Sequence, residues 1–202
     1  HFLEHLLFKG TTDRTALDIA VAFDSVGGEH NAVTAKEYTC YYAKVQDRDL
    51  SMAVDVLADM FASSVIDASW FWTERCVILG VLVMADDAPA DVTSERFFEA
   101  VLGEHPLGRP IGGSSETISA VGRDAVVEHY RANYRAQDLV ITAAGAVDHD
   151  ALVVRVIAAL ERAGWDLSAE ASPVERRDAS RDLIDRGSPL VVVKRPIEQA
   201  NI

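Results

Sequence analysis

Among the side chains of this sequence that could do chemistry, His1, Glu4 and His5 share one short segment at helical spacing. Two histidines four residues apart lie one helical turn apart, and a rotation of about 100° per residue brings Glu4 and Phe8 onto the same stripe. The other faces of this segment are Phe2, Leu3, Leu6 and Leu7. Ionisable groups on an otherwise apolar helix need partners if they are buried. A metal is one such partner, because two imidazoles a turn apart can ligate a single zinc ion. The glutamate between them could then act as base toward a metal-bound water. The plainer alternative is a helix start whose histidines face solvent.

The elements that must position these groups follow from the local pattern. His1 to Phe8 reads as a helix stopped by Gly10, and Thr11, Thr12 and Asp13 offer caps for a second helix from about Ala16 to Val26, ended by Gly27 and Gly28. The β-branched and aromatic content between Glu29 and Val45 predicts a strand pair. Met52, Val56, Leu57 and Met60 have helical spacing, and Asp67 caps a longer helix reaching about Ala85, interrupted by Asp87-Ala-Pro. Further helices are expected over 90–102, 123–134 and 149–163, with Leu139 to Gly145 as a buried strand. Strands interleaved with helices predict an α+β fold, a mixed, mainly antiparallel sheet with helices packed on one side.

Residues 165–188 are charged and aperiodic, which is linker composition, and Pro189 to Pro196 looks like a first strand of a new unit. The expected organisation is therefore a main domain over 1–164, a linker over 165–188 and the start of a second unit over 189–202, with both ends of the chain looking truncated. A formal charge of −13 argues against nucleic acid or an anionic membrane surface as partner, since phosphates would be repelled. Cys40 and Cys76, the only cysteines, lie far apart and imply no disulfide framework. No apolar stretch reads as long and charge-free enough to span a bilayer.

Several further segments keep company with the histidine motif: Gly27-Gly-Glu-His-Asn-Ala-Val-Thr, Thr73-Glu-Arg, and His105-Pro-Leu-Gly-Arg-Pro-Ile-Gly. Together with the inverted H-x-x-E-H order of His1 to His5, a zinc-peptidase signature, they resemble successive landmarks of the pitrilysin, insulinase and mitochondrial-processing-peptidase family. The clearest likeness is to its bacterial processing-peptidase-like branch. Lys194-Arg-Pro-Ile-Glu-Gln-Ala resembles the opening of that family's second homologous domain. The resemblance implies one zinc ion held by His1, His5 and a distal glutamate, with Glu4 as general base. It also implies Glu74 as a supporting acid, and the strand around Asn31 and Ala32 as the edge on which an extended or unfolded peptide docks. A homologous subunit or second domain is the further partner it implies, and a cytoplasmic location the default.

One departure bears on the chemistry. The distal zinc-binding glutamate is expected seven residues after Glu74, and that position is Val81; its neighbour is Gly80, and Trp72 and Cys76 depart as well. Glu74 lies about 10 Å from position 81 along a helix, and Asp86 is rotated roughly 140° from it, so neither replaces the missing ligand. Impaired zinc binding and impaired peptide hydrolysis are the expectation. The alternatives are a non-catalytic peptide-binding or partner subunit, or an inactive gene fragment.

Overall fold

The computed structural model describes residues 1–168 and 190–196. Helix α1, Phe2–Leu7, forms because Phe2, Leu3, Leu6 and Leu7 can all be buried on it, and a turn carries the chain to Gly10, whose φ of 129° suits glycine. Helix α2, Ala16–Asp24, starts at the expected residue, but its cap lies two residues beyond Asp13, the last of the expected caps. Its cap is Thr15, whose hydroxyl accepts from the Asp18 amide while the Asp18 carboxylate accepts from the Thr15 amide. Thr11, expected as a cap, is instead buried with its hydroxyl on Asp59 at 2.6 Å.

Gly27, with φ of 65°, closes α2, and the Gly28 amide donates to the Phe23 carbonyl at 2.9 Å. A side chain at Gly28 would meet the Val45 methyl at 3.0 Å and the carbonyls of Lys44 and Phe23 at 3.3 Å. The chain then enters β1, Glu29–Thr34, which pairs antiparallel with β2, Thr39–Lys44, from Glu29 opposite Lys44 to Thr34 opposite Thr39. Along β1 exposed and half-buried residues alternate, so His30, Ala32 and Thr34 share the inner face while Asn31 and Val33 face out.

Helix α3, Leu50–Ser63, packs on α8, His149–Arg162, through Ala58, Ala159 and Leu160, with Val54, Leu139, Val156 and Trp165 around them. Helix α4, Ala68–Asp87, is capped as expected by Asp67, whose carboxylate accepts from the Ser69 amide at 2.8 Å. Just before it, Ile66 is buried at a φ of 44°, a conformation that costs a β-branched residue energy. The Arg123 guanidinium donates to the Ile66 carbonyl at 2.6 Å and to that of Val65 at 3.3 Å, fixing this turn from α7, Arg123–Asn133. Helices α5, Pro89–Leu102, and α6, Ser115–Ala120, complete the helical set.

The chain divides into two compact units, and the division falls inside α4, between Glu74 and Arg75. The first contains His1–Thr34, Thr39–Glu74 and the chain from Val121. Its core is Leu6, Leu7, Ile19, Phe23, Val56, Met60, Ile66 and Phe71, all nearly inaccessible to solvent. The second contains Ala35–Tyr38 and Arg75–Ala120, where Lys36 lies 4.9 Å from the Phe98 ring and 3.3 Å from the Glu95 carboxylate.

The α+β expectation holds, with a sheet among the described residues of only two antiparallel strands. Among the described residues, neither of two expected strands, Leu139 to Gly145 and 190–196, joins a sheet ladder, which is formed by β1 and β2. An apolar run becomes a strand only when a neighbour takes its backbone hydrogen bonds. The expected linker lies mostly at 169–189, outside the described residues, as do residues 197–202. By length and composition α4 could cross a membrane, contrary to the sequence expectation, although it carries Glu74 and Arg75 in its middle. Cys40 and Cys76 are both free and exposed.

Candidate metal centre

The burial of Phe2, Leu3, Leu6 and Leu7 fixes the rotation of α1, and that rotation decides where the ionisable stripe points. One donor atom from each of His1, Glu4 and His5 lies within 4.8 Å of the others. The imidazoles of His1 and His5 meet edge to face with centroids 4.9 Å apart. His1 Nδ1 is buried and has no hydrogen-bond partner among the described residues, a costly condition for a polar atom unless something else occupies its lone pair.

Each remaining member of the stripe is held from another element. Glu4, 8% exposed, accepts a hydrogen bond at Oε2 from the Thr34 hydroxyl at the end of β1. The His5 Nδ1 lies 3.0 Å from Glu74 Oε2, and the other oxygen of Glu74 lies 3.0 Å from the Lys9 ammonium. Glu74 is only 4% exposed. A carboxylate paired with an ammonium only accepts, so the facing His5 nitrogen donates, and in the neutral ring this leaves Nε2 with its lone pair for a metal. Glu74 reaches this place because Phe71, one turn earlier on α4, stacks on Phe2 with centroids 5.1 Å apart.

His1, Glu4, His5 and Glu74 are therefore brought together. Val81 is not a donor wherever it lies: it sits seven residues past Glu74 on α4, half-buried, within the second unit. Gly80 beside it is exposed, with nothing within 4 Å of where a side chain would begin. Asn31 is exposed on β1 opposite Tyr42, and its side-chain oxygen accepts from the Ala32 amide at 2.8 Å.

Sequence reasoning passed over two of these partners. Thr34 was visible only as the last residue of Asn31-Ala-Val-Thr, and its role depends on a strand that ends beside α1. Lys9 lies one turn beyond His5, and nothing in the sequence links it to Glu74, which is 65 residues away. Behind the site Tyr41 packs against Phe8 and edge-on against Phe61, and its hydroxyl lies 3.2 Å from that of Tyr134. Burial first, then the adjacent Tyr134, pushes the Tyr41 phenol far above its ordinary value, and burial pushes Tyr130 up to about 12.

The donor set fits zinc: two imidazole nitrogens and a carboxylate oxygen, one imidazole oriented by a buried acid and the other with an unpartnered buried nitrogen. Over its whole length the chain is 44% identical to an uncharacterised zinc protease of Streptomyces coelicolor and 43% identical to one of Mycobacterium tuberculosis. It spans 44% and 45% of their lengths, so it corresponds to less than half of either. Among solved structures it is similar to a protease from Helicobacter pylori, with a TM-score of 0.79, 21% identity and coverage of 85% of this chain and 42% of that one. It is also similar to pitrilysin, with a TM-score of 0.71, 26% identity and coverage of 87% of this chain and 19% of that one. Residues 1–115 match the insulinase family, peptidase family M16, and the chain belongs to that family.

Proposed function

We propose that this chain carries the metal centre of a zinc metalloendopeptidase, with His1 and His5 holding the ion, and that hydrolysis by it is impaired because Val81 stands where the third ligand is expected. The convergence of His1, Glu4 and His5, with Glu74 on the far side of His5, carries the reading. Zinc, when bound, supplies a Lewis acid that makes water nucleophilic near neutral pH. The protein's own groups supply the rest. Glu74 and Lys9 hold the His5 ring in one tautomer. Thr34 holds the Glu4 carboxylate, the group to which the resemblance gives the role of proton acceptor. The edge of β1 around Asn31 and Ala32 would bind an extended peptide by main-chain hydrogen bonds, which suits a substrate chosen for being unfolded rather than for its sequence. A homologous second unit, opening at about residue 189 beyond a linker over 165–188, belongs to this same proposal.

Two imidazoles supply half of a tetrahedral shell, and loss of even an indirect partner costs ~10–100-fold in affinity. Val81→Glu is therefore expected to tighten zinc binding at least tenfold and to raise hydrolysis of an unstructured fluorogenic peptide. His1→Ala or His5→Ala should abolish zinc binding in either background. Zinc affinity that ignores both histidines would overturn the reading. A wild-type chain that binds such peptides without cleaving them, even after Val81→Glu, would favour a peptide-binding subunit instead, for which the valine is the specific observation.

A further inference from the structure

We infer that in this chain Glu4 is itself the third metal ligand, withdrawn from proton transfer by the absence of a carboxylate at position 81. The inference rests on the zinc reading above and concerns how the site is completed.

Three observations support it. First, the donor atoms of His1, Glu4 and His5 lie within 4.8 Å of one another, whereas ligands of a tetrahedral zinc at ordinary bond lengths stand ~3.4 Å apart. The difference, at most about 1.4 Å, is within the range of side-chain rotation. Second, the charges favour it. Two neutral imidazoles leave the dication fully charged beside a carboxylate that is 8% exposed, and water can screen little of the attraction between them. The family resemblance implies at position 81 a glutamate that would halve that charge and fill the third position, leaving Glu4 free. Valine does neither, so the ion's demand for charge and for a donor both fall on Glu4. Third, the site can supply that bond without breaking another. Thr34 engages Oε2, and a carboxylate has lone pairs enough on its second oxygen for a metal. Thr34 then orients a ligand from behind, as Glu74 orients His5.

The arrangement accounts for impaired hydrolysis without loss of zinc. It also gives Glu4 a signature opposite to that of a base, because replacing a base leaves the metal in place and replacing a ligand releases it.

The test is zinc affinity by chelator competition for the wild-type chain, Glu4→Gln, Val81→Glu and the double variant, each confirmed folded by circular dichroism. Glu4→Gln is expected to weaken zinc at least tenfold in the wild-type background and less than about threefold beside Val81→Glu. Thr34→Val, which keeps the shape of residue 34 and the charge of Glu4, should weaken zinc several-fold in the wild-type background and not beside Val81→Glu. It keeps the inference testable if Glu4→Gln misfolds. Equal zinc affinity with and without the Glu4 carboxylate, while His5→Ala still abolishes binding, would overturn this inference and leave the zinc reading standing. No zinc binding by wild type or by Val81→Glu would overturn both.

Discussion

Glu74→Gln puts the support of the metal centre under direct test. The carboxylate is 4% exposed and divides its oxygens between His5 Nδ1 and Lys9 Nζ, each at 3.0 Å. Glutamine keeps the size of the side chain and one acceptor oxygen. It cannot accept from both partners, so either His5 loses its orienting acceptor or the Lys9 ammonium faces an amide NH2. Loss of a metal-orienting partner costs ~10–100-fold in affinity, which is about 1.4–2.8 kcal/mol. The metal-free protein should also lose roughly 1–3 kcal/mol, because a donor is left beside a group it cannot use. Lys9 is 27% exposed, and water there should keep the cost near the lower figure. Zinc competition measures the first quantity and urea denaturation of the metal-free chain the second. Lys9→Met beside Glu74→Gln should recover part of the stability and none of the zinc affinity. A Glu74→Gln variant whose zinc affinity stays within threefold of wild type would refute the reasoning that Glu74 orients His5.

Asp59→Ala is expected to cost about 3 kcal/mol in urea denaturation, since the buried carboxylate holds both the Thr11 hydroxyl and the Arg14 guanidinium at 2.6 Å and its loss strands both donors. Asp59→Ala beside Arg14→Met should cost less than Asp59→Ala alone. In alkali, the raised phenols of Tyr41, Tyr130 and Tyr134 keep their protons in the folded chain at pH values where the unfolded chain releases them. Stability from this source is therefore complete below pH about 10 and falls as pH rises above it, by up to roughly 1.4 kcal/mol per unit for each tyrosine, until that tyrosine ionises in the folded chain as well, at about 12 for Tyr130. Absorbance at alkaline pH should show these three ionising together with unfolding, and their ionisation in a chain still folded by circular dichroism would contradict their burial.

What the sequence reveals here is what neighbours along the chain decide. The stripe of His1, Glu4 and His5 is a property of helical rotation, and the cap at Asp67 and the break before Pro89 are local chemistry as well. What it conceals is what distant segments decide. Leu139 to Gly145 has the composition of a strand but finds no ladder among the described residues, and pairing is not written in composition. Asp59 looks like one more solvent-facing charge on α3 until the loop from Thr11 to Arg14 folds over it. Thr34 cannot be linked to Glu4 without knowing that β1 ends beside α1. The motif is legible by itself, Glu74 only through the family resemblance, and Thr34, which braces Glu4 from another element, not at all.

The crowding at Gly28 turns the strand pair into a gauge block. A side chain there would press on Val45, Lys44 and Phe23, each of which would have to give by a few tenths of an ångström, so the near end of the ribbon is seated closely against α2. Thr34 stands at the far end, about 20 Å away at ~3.3 Å per residue. A small tilt at the seat is magnified over that length, while a metal centre tolerates misplacement of only ~0.5 Å. The alignment of Glu4 is thus set partly by a residue that has no side chain and lies far from the chemistry, and even alanine at position 28 would act on the centre as a machining error does, through the dimension of a part rather than its material.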